Sequence, residues 1–252
     1  MAWLFAHGDA EVDEHVIDEQ VRRRAAGEPL QYIRGRCDFY GREFLVDERV
    51  LIPRPETEIL VEQAIRRAPR GARVVDVGTG SGCIAISLAL ERPDLRVIGV
   101  DVSVAALAVA KLNGDRLGAR VGFVASDLLD AIGTPSSRRL DRRRPAAGVE
   151  TTPGQPARTP ALPIDLIVAN PPYIPAADIE TLQTEVKDHE PRIALTPGPR
   201  GTEVIEKLLA TGIPAIIEIG YGQLESLHVD EAIPDLAGIP RVVVSSARHG
   251  GK

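Results

Sequence analysis

Short apolar runs alternate with longer apolar segments along most of the chain after residue 71. The short runs are rich in Val and Ile, which is typical of buried strands, and the longer ones have helical length. One predicted helix begins at the capping residue Ser103 and is expected to end near Gly114. The predicted strands are 72–78, 95–101, 121–126, 164–170, 214–220 and, last, 241–246, with helices at 82–91 and 103–114. This alternation predicts an α/β fold with a doubly wound, mostly parallel sheet.

The first part of the chain has a different pattern. Residues 13–26 carry acids early and arginines late, which matches the helix macrodipole, and Gly27 ends this predicted helix. Turn residues around Gly35 and Gly41 predict a β-hairpin that leads into a proline-rich loop. A further helix is predicted over 55–67, because proline is tolerated in the first turn of a helix.

Composition is that of an ordinary globular protein and indicates neither a membrane span nor a secretory signal. Of 252 residues, 44% are hydrophobic and 26% are charged. No apolar run reaches the roughly 18 residues of a transmembrane helix, and the N-terminus lacks the regions of a signal peptide. Cys37 and Cys83 lie far apart without a histidine cluster, so they are interpreted as packing residues. We therefore expect a cytoplasmic protein without a metal site.

Residues 133–163 interrupt the pattern. They are rich in Pro, Arg, Thr and Gly and contain almost no large apolar residues, which predicts a disordered surface loop. The stretch RRLDRRR inside this segment could instead bind nucleic acid or an acidic partner. The net charge of −6 gives no broad attraction to a phosphate backbone, so it argues against nucleic acid as a partner.

A glycine-rich turn follows the first predicted strand of the sheet. The sequence VVDVGTGSGCIA places Asp76 ahead of Gly78, Gly80 and Gly82, where the strand meets a helix. Glycines let the backbone bend tightly and let a ligand approach the chain closely. Residues 80–85 also fit the dinucleotide fingerprint with alanine in its last place, so the turn alone does not choose between ligands.

Acidic residues after the next two strands favour S-adenosylmethionine as the ligand. Asp101 ends the second strand, in the position where an acid accepts hydrogen bonds from ribose hydroxyls. Asp127 follows the third strand and is placed to meet the amino group of adenine, with Leu128 packed on the ring. A helix cap is an equally good interpretation of Asp127.

The stretch DLIVANPPYIP, residues 165–175, ends a predicted strand in four unusual residues. Ligands of open α/β sheets bind at the carboxyl ends of the strands, so Asn170 is expected beside the glycine turn. It would then lie close to the methyl group on the sulfur of S-adenosylmethionine. Its amide oxygen and a rigid backbone carbonyl can accept both hydrogens of a planar amide and so aim the nitrogen. Tyr173 offers a flat face for stacking. The alternative, a simple proline turn, explains one proline but not the tetrad.

The glycine turn and the Asn-Pro-Pro-Tyr tetrad together resemble a class of S-adenosylmethionine-dependent amino-methyltransferases. This class includes DNA adenine methyltransferases and protein glutamine methyltransferases. Residues 23–62, EVKDHEPRIALTPGPRG at 185–201 and EIGYGQ at 218–223 are similar to peptide chain release factor glutamine methyltransferases. The resemblance covers about residues 23–131 and 164–223, which is most of the chain.

The resemblance implies a seven-stranded, Rossmann-like methyltransferase sheet and the cofactor S-adenosyl-L-methionine. The implied substrate is the glutamine of the Gly-Gly-Gln motif in class 1 peptide chain release factors, methylated on its side-chain amide nitrogen. Asn170 would bind the amide, Pro171 would contribute its backbone carbonyl, Tyr173 would pack on the amide, and Pro172 would complete the substrate site. The implied cofactor residues are Gly78, Thr79, Gly80, Ser81, Gly82, Asp101, Asp127, Leu128 and Asn170.

The same resemblance divides the chain into three parts. Residues 1–27 would be the remnant of a helical domain that docks the release factor, 28–58 the hairpin and linker, and 59–252 the methyltransferase domain. Compared with the family pattern, the first part is short and the 133–163 insertion lengthens a connection. The chain after Thr202 also lacks most of a usually long helix.

Two other functions stay open at this point. A nucleic-acid adenine-N6 methyltransferase would use RRLDRRR as its strand-binding patch and extrude a base towards Tyr173, although residues 23–62 argue against it. An inactive paralogue would bind the cofactor and only hold a release factor. The methyltransferase interpretation requires Asn170 to lie beside the glycine turn, so strand ends at opposite edges of the sheet would exclude it.

Overall fold

The structure is a computed structural model that describes residues 14–132 and 163–247. Its N-terminal part contains helix α1 (Glu14–Ala25), helix α2 (Leu30–Arg34), the antiparallel hairpin β1 (Arg36–Phe39) and β2 (Arg42–Leu45), and helix α3 (Thr57–Arg67). The predicted N-terminal helix and β-hairpin are thus confirmed. The sequence pattern did not predict α2, which ends at Gly35 in the left-handed conformation.

Seven strands form one sheet, most of it parallel. They are β3 (Arg73–Val77), β4 (Arg96–Asp101), β5 (Val121–Ala125), β6 (Leu166–Ala169), β7 (Ala215–Glu218), β8 (Glu231–Pro234) and β9 (Pro240–Ser245). Their order across the sheet is β5-β4-β3-β6-β7-β9-β8. The first five strands in this order, β5, β4, β3, β6 and β7, are parallel to one another. Strand β9 runs antiparallel to both of its neighbours, β7 and β8. The predicted doubly wound, mostly parallel seven-stranded sheet is confirmed.

Helices pack on both faces of this sheet. In the described part of the chain, the other α-helices are α4 (Cys83–Glu91), α5 (Val104–Leu117), α6 (Thr184–Lys187), α7 (Arg192–Leu195) and α8 (Glu203–Ala210). Val74 of β3 packs in a core with Leu60 of α3 and Ile86 of α4, whereas Val75 packs with Leu208 of α8. Successive side chains of a strand point to opposite faces, so β3 is buried on both sides, as expected for a central parallel strand.

The pairing of β3 with β6 brings the two sequence motifs together. The strands are parallel neighbours, with Val74 opposite Leu166 and Asp76 opposite Val168. The chain leaves β3 into the glycine turn and leaves β6 at Asn170, so both exits lie at the carboxyl edge of the sheet. The strand order reverses between β3 and β6, which is where ligands bind in such folds. The arrangement that would exclude a methyltransferase is therefore absent.

Some predicted boundaries were wrong. Helix α5 continues through Gly114 to Leu117 and ends at Gly118, which adopts a left-handed φ of 69°. Gly114 is a packing residue, because a Cβ there would lie 3.3 Å from the ring of Phe123. Strand β8 was not predicted, since it is a four-residue edge strand that ends in proline. The loop expected at 133–163 lies outside the described residues, apart from residue 163.

Candidate active site

A cavity of about 380 Å³ lies at the carboxyl edge of the sheet. The exits of four neighbouring strands form one wall of this cavity. Two further segments, 49–51 and 191–197, contribute the opposite side. The sequence-predicted residues that line it are Gly78, Gly80, Asp101, Asp127, Leu128, Asn170, Pro171 and Pro172. The structure therefore brings the glycine turn, both acids and the Asn-Pro-Pro stretch to one site.

The glycines of the turn have two different roles. Gly78 and Gly80 have φ angles of 73° and 54°, and they line the cavity. A Cβ at Gly78 would meet no atom within 4 Å, so the space beside the turn is available to a ligand. Gly82 also has a positive φ, but a Cβ there would lie 2.9 Å from Ile86 Cδ1. A Cβ at Gly82 would also lie 3.2 Å from Ala110 Cβ, so this third glycine permits close packing of α5 against the turn.

Asp76 holds the turn from below. Its side chain is fully buried, and its Oδ2 accepts a 2.6 Å hydrogen bond from the Thr79 hydroxyl and a 3.2 Å bond from the Ala85 N–H. Burial raises the pKa of Asp76 to about 7, against the lowering effect of these two donors. The carboxyl therefore joins the start of α4 to the turn, and it does not line the cavity.

Asp101 lines the cavity, and two backbone N–H groups hold its carboxylate in a fixed orientation. Its Oδ2 accepts a hydrogen bond from Gly80 N–H at 3.0 Å, and its Oδ1 accepts one from Ser103 N–H at 2.8 Å. Each carboxylate oxygen has a second acceptor position, so both can still bind hydroxyl groups of a ligand. These contacts fit the sugar of a nucleoside.

Asp127 and Leu128 form the next part of the wall. The Asp127 side chain is exposed, and the chain from Asp127 to residue 132 forms turns, so this part of the chain contains no helix for it to cap. Leu128 has a φ of 49°, which is uncommon for a residue with a Cβ. Such strained conformations cluster at binding sites. An apolar side chain beside a carboxylate fits the adenine end of a nucleoside.

The Asn170 side chain joins a chain of hydrogen bonds at the exit of β6. Its Nδ2 donates to the Thr57 hydroxyl at 3.1 Å, and this hydroxyl donates to Glu218 Oε2 at 2.6 Å. The Tyr173 hydroxyl donates to Glu218 Oε1 at 3.2 Å. Burial raises the pKa of Glu218 to about 7, and the two hydroxyl donors oppose that rise.

The loop after Asn170 is also held through its backbone. The Tyr173 carbonyl accepts a 2.8 Å hydrogen bond from Gln223 Nε2, and Gln223 Oε1 in turn accepts one from Gly220 N–H at 2.8 Å. A Cβ at Gly201 would lie only 2.4 Å from the same Tyr173 carbonyl oxygen. The 218–223 segment therefore supports the tetrad, and Gly201 lets another loop pass behind it.

Four of the sequence-predicted site residues do not line the cavity: Thr79, Ser81, Gly82 and Tyr173. The first three build the turn, and Tyr173 reaches down to Glu218. Sequence reasoning missed the contacts that Thr57, Glu218 and Gln223 make with the tetrad. A signal was present in AIIEIG, because a carboxylate in an otherwise apolar buried strand requires partners.

The residues present fit S-adenosylmethionine. The open space at Gly78 and Gly80, the free acceptor positions of Asp101 and the apolar Leu128 match its nucleoside and amino-acid parts. Among residues 14–132 and 163–247, no group of three His, Cys, Asp or Glu side chains is arranged to hold a metal ion. In these same ranges no helix has the length and apolar character required to cross a bilayer.

Comparison with known proteins identifies the family. Residues 55–140 match the methyltransferase small domain, and residues 1–35 match the PrmC N-terminal domain. Among solved structures, the hMettl16 catalytic domain in complex with MAT2A 3′UTR hairpin 6 is similar in fold. The alignment covers 97% of this chain and 96% of that chain, with a TM-score of 0.52 and 13% sequence identity.

Two relatives carry the same name. The release factor glutamine methyltransferase of Koribacter versatilis is 42% identical over 262 residues, which are 96% of this chain and 84% of the relative. That of Neisseria gonorrhoeae is 37% identical over 260 residues, which are 96% of this chain and 86% of the relative. Because both relatives match nearly the whole chain, this protein is an enzyme and belongs to the release factor glutamine methyltransferase family.

Proposed function

We propose that this enzyme transfers a methyl group from S-adenosyl-L-methionine to a glutamine side-chain amide nitrogen, that of the Gly-Gly-Gln motif in class 1 release factors. One observation carries the proposal: Asn170 lies on the wall of the same cavity as Gly78 and Gly80. The names of the relatives support the release factor and its glutamine as the substrate. Release factors act on ribosomes, so the reaction would take place in the cytoplasm.

Bound in this cavity, S-adenosylmethionine would supply a methyl group carried on a positively charged sulfur. Gly78 and Gly80 would admit the cofactor without steric conflict. Asp101 would accept hydrogen bonds from the ribose hydroxyls, and its existing bonds to Gly80 and Ser103 fix it for that purpose. Asp127 would accept from the adenine amino group, with Leu128 against the ring.

The substrate amide would be held by two acceptors. Asn170 Oδ1 and the Pro171 carbonyl each accept one of the two hydrogens on the glutamine nitrogen, which fixes the plane of the amide. The nitrogen lone pair is perpendicular to this plane, so fixing the plane aims the lone pair at the methyl group. No general base is required, because the methylated nitrogen is acidic and its proton can leave to water. Proline at 171 and 172 keeps the carbonyl rigid.

Two further assignments stay predictions. Tyr173 is expected to pack on the substrate amide, although its hydroxyl is engaged with Glu218 below the cavity. We also keep the division of the chain at residues 27 and 58, with the N-terminal part docking the release factor. Helix α1 is joined to α6 by an ion pair between Arg24 and Glu185, so a partner bound to α1 would lie near the cavity side formed by 191–197.

The experiment is a transfer assay with methyl-labelled S-adenosylmethionine. Purified enzyme is incubated with a class 1 release factor, and peptide mass spectrometry locates the added methyl group. The matched control is the same release factor with its Gly-Gly-Gln glutamine replaced by glutamate, which lacks the amide nitrogen. Label on the glutamine of the first substrate and none on the control supports the proposal.

Other outcomes would replace this function by another. Label on DNA or RNA, and none on the release factor, would identify a nucleic-acid adenine methyltransferase. Saturable cofactor binding without transfer to any of these substrates would identify an inactive binding protein.

A further inference from the structure

The hydrogen-bonded chain behind Asn170 is buried and connects three separate elements. Thr57 is the first residue of α3 and is 2% exposed, and Glu218 is the last residue of β7 and is 1% exposed. Asn170 follows β6 and borders the cavity. Neither Thr57 nor Glu218 lines that cavity, so neither can touch a ligand within it directly.

Counting hydrogens fixes the direction of these bonds. An ionised carboxylate has only acceptors, so the hydroxyls of Thr57 and Tyr173 must each donate to Glu218. A threonine hydroxyl has one hydrogen, and Thr57 uses it on Glu218. Towards Asn170, Thr57 can therefore only accept, and the Asn170 group that faces it must be the NH₂. The Asn170 oxygen is left for the cavity.

We propose that Thr57 and Glu218 are positioning residues that determine which end of the Asn170 carboxamide faces the substrate. This inference rests on the proposed function, in which the Asn170 oxygen accepts a hydrogen from the substrate amide. The two ends of a carboxamide have nearly the same shape, so packing alone selects weakly between them. A flipped Asn170 would present N–H donors to the substrate NH₂, and the acceptor would be lost.

The protonation state of Glu218 determines the direction of the hydrogen bonds that run through Thr57 to Asn170. Burial raises its pKa to about 7, and the Thr57 and Tyr173 hydroxyls and the charge of Arg241 oppose this rise while Glu56 adds to it. A protonated Glu218 can donate to Thr57, whose hydroxyl is then free to donate to the Asn170 oxygen. Raising the pH through this range therefore increases the fraction of Asn170 with its oxygen towards the cavity.

The chain offers a direct test because it contains only two asparagines, Asn113 and Asn170. Selective ¹⁵N labelling of asparagine side chains gives two NH₂ groups for NMR. Asn113 is fully buried and donates to the Leu45 and Ser81 carbonyls, so it serves as an internal reference. Replacing Asn170 by Asp assigns the two signals.

We expect the Asn170 NH₂ signal to titrate with a midpoint near pH 7 in the unmodified enzyme. In Glu218→Gln this titration should disappear, and the Asn113 signal should not titrate in either protein. In Thr57→Val, hydrogen exchange of the Asn170 NH₂ should accelerate by about tenfold because one hydrogen bond is lost. Thr57→Ser, which keeps the hydroxyl, should exchange like the unmodified enzyme.

Transfer kinetics give a second measurement. Thr57→Val should lower kcat by about 10- to 100-fold because the acceptor for the substrate amide is misplaced. Its affinity for S-adenosylmethionine should stay unchanged, and Thr57→Ser should restore kcat. Thr211→Val removes a hydroxyl that binds the Leu208 carbonyl at the far end of α8, and it should leave kcat unchanged.

The inference would be overturned if the Asn170 NH₂ signal did not change with pH and was the same in Thr57→Val and Glu218→Gln as in the unmodified enzyme. It would also be overturned by a Thr57→Val enzyme with normal kcat, or by a Thr57→Ser enzyme as slow as Thr57→Val. The NMR measurement needs no substrate, so it decides the orientation of Asn170 even if the transfer assay shows a different acceptor. Failure of the proposed function and failure of this inference are therefore distinguishable.

Discussion

Two carboxyl groups, Asp76 and Glu218, are buried near the carboxyl edge of the sheet. Each accepts hydrogen bonds from protein donors, yet burial still raises the pKa of both to about 7. An isolated ionised carboxylate inside a protein is costly, so such groups persist where they have a specific task. Here the tasks differ: Asp76 shapes the glycine turn, and Glu218 holds the hydroxyls below the tetrad.

Replacing Glu218 by Gln should change how stability depends on pH. Below pH 4.5 this carboxyl is protonated in both the folded and unfolded chain. Between pH 4.5 and about 7 only the unfolded chain releases the proton, so the folded enzyme loses stability as pH rises. Each unit of pKa shift corresponds to about 1.4 kcal/mol, so Glu218 accounts for a loss of about 3 kcal/mol in the free energy of unfolding across this pH range.

Urea unfolding at pH 5 and pH 8 measures this share. The unmodified enzyme should lose more free energy of unfolding between these two pH values than Glu218→Gln does. Equal losses would show that Glu218 ionises in the folded enzyme as it does in the unfolded chain. The comparison removes the contributions of all other titrating groups, because both proteins contain them.

Replacing Asn170 by Ala should separate transfer from cofactor binding. Transfer should fall by about 100-fold or more, because the substrate amide loses an acceptor that aims it. Cofactor affinity should change little, since the glycine turn and Asp101 are intact. Asp101→Ala should instead weaken cofactor binding about 10- to 100-fold, the cost of losing hydrogen bonds to a charged group.

Equilibrium binding of S-adenosylmethionine and the transfer assay, applied to both variants, check this separation. If Asn170→Ala weakened cofactor binding as much as Asp101→Ala, Asn170 would be a cofactor ligand first. The positions of Asn170 and Asp101 on the cavity wall were predictable from sequence, because Asn170 follows a buried strand and Asp101 ends one. The partners of Asn170 were not, since Thr57 and Glu218 lie 113 and 48 residues away in the chain.

At the scale of the elements, the loop that carries the tetrad depends on a neighbouring turn. Gly201 has a φ of 80°, and a Cβ there would lie 2.4 Å from the Tyr173 carbonyl oxygen. Gly238 has nearly the same φ, 79°, but a Cβ there would meet no atom within 4 Å. The two glycines therefore share the same strained φ, but Gly201 is buried against the tetrad loop and Gly238 is exposed.

Gly201→Ala should lower kcat about 100-fold, because relief of the clash must move the Tyr173 backbone and with it Asn170. Gly238→Ala should cost only about 1 kcal/mol of stability, the penalty for a side chain at positive φ, and leave kcat unchanged. The transfer assay and thermal unfolding of both variants provide the measurements. Equal kcat in the two variants would mean that the loop adapts to the added methyl group.

Local pattern predicted the elements of the central sheet and failed at its margins. Strands β3 to β7 are apolar on both faces, which gives a strong signal, and Ser103 caps α5 as expected. Gly114 was misjudged because its reason lies in another element, the ring of Phe123. Strand β8 and the one-turn helices α6 and α7 have too few residues to show a period. Long-range packing decides such features.

For the whole molecule, the cavity depends on parts of the chain far from the sheet. Residues 49–51 and 191–197 form one side of it, and Arg54 and Glu190, which follow the first segment and precede the second, form an ion pair that is buried on the glutamate side. Arg54 Nη2 donates to Glu190 Oε1 at 2.5 Å, and the Glu190 side chain is 1% exposed. Arg54 lies between two prolines in the predicted proline-rich loop, but nothing local indicated Glu190 as its partner.

Arg54→Met should destabilise the enzyme by about 3 kcal/mol, because it leaves the Glu190 carboxylate buried without its counter-charge. Burial already raises the pKa of Glu190, and Arg54 opposes that rise. The loss should therefore be larger at pH 8 than at pH 5, where Glu190 can take up a proton. Urea unfolding of the variant at both pH values measures it.

The control for this pair is Arg67, which binds Glu231 in an exposed ion pair between α3 and β8. Arg67→Met should cost less than about 1 kcal/mol, because water replaces the lost partner. Adding Glu190→Gln to Arg54→Met should recover part of the stability, since it removes the unpaired charge. If Arg54→Met cost no more than Arg67→Met, the Arg54–Glu190 pair would contribute no more stability than an exposed ion pair does. The cavity side at 191–197 would then be independent of Arg54, and cofactor affinity should be unchanged in that variant.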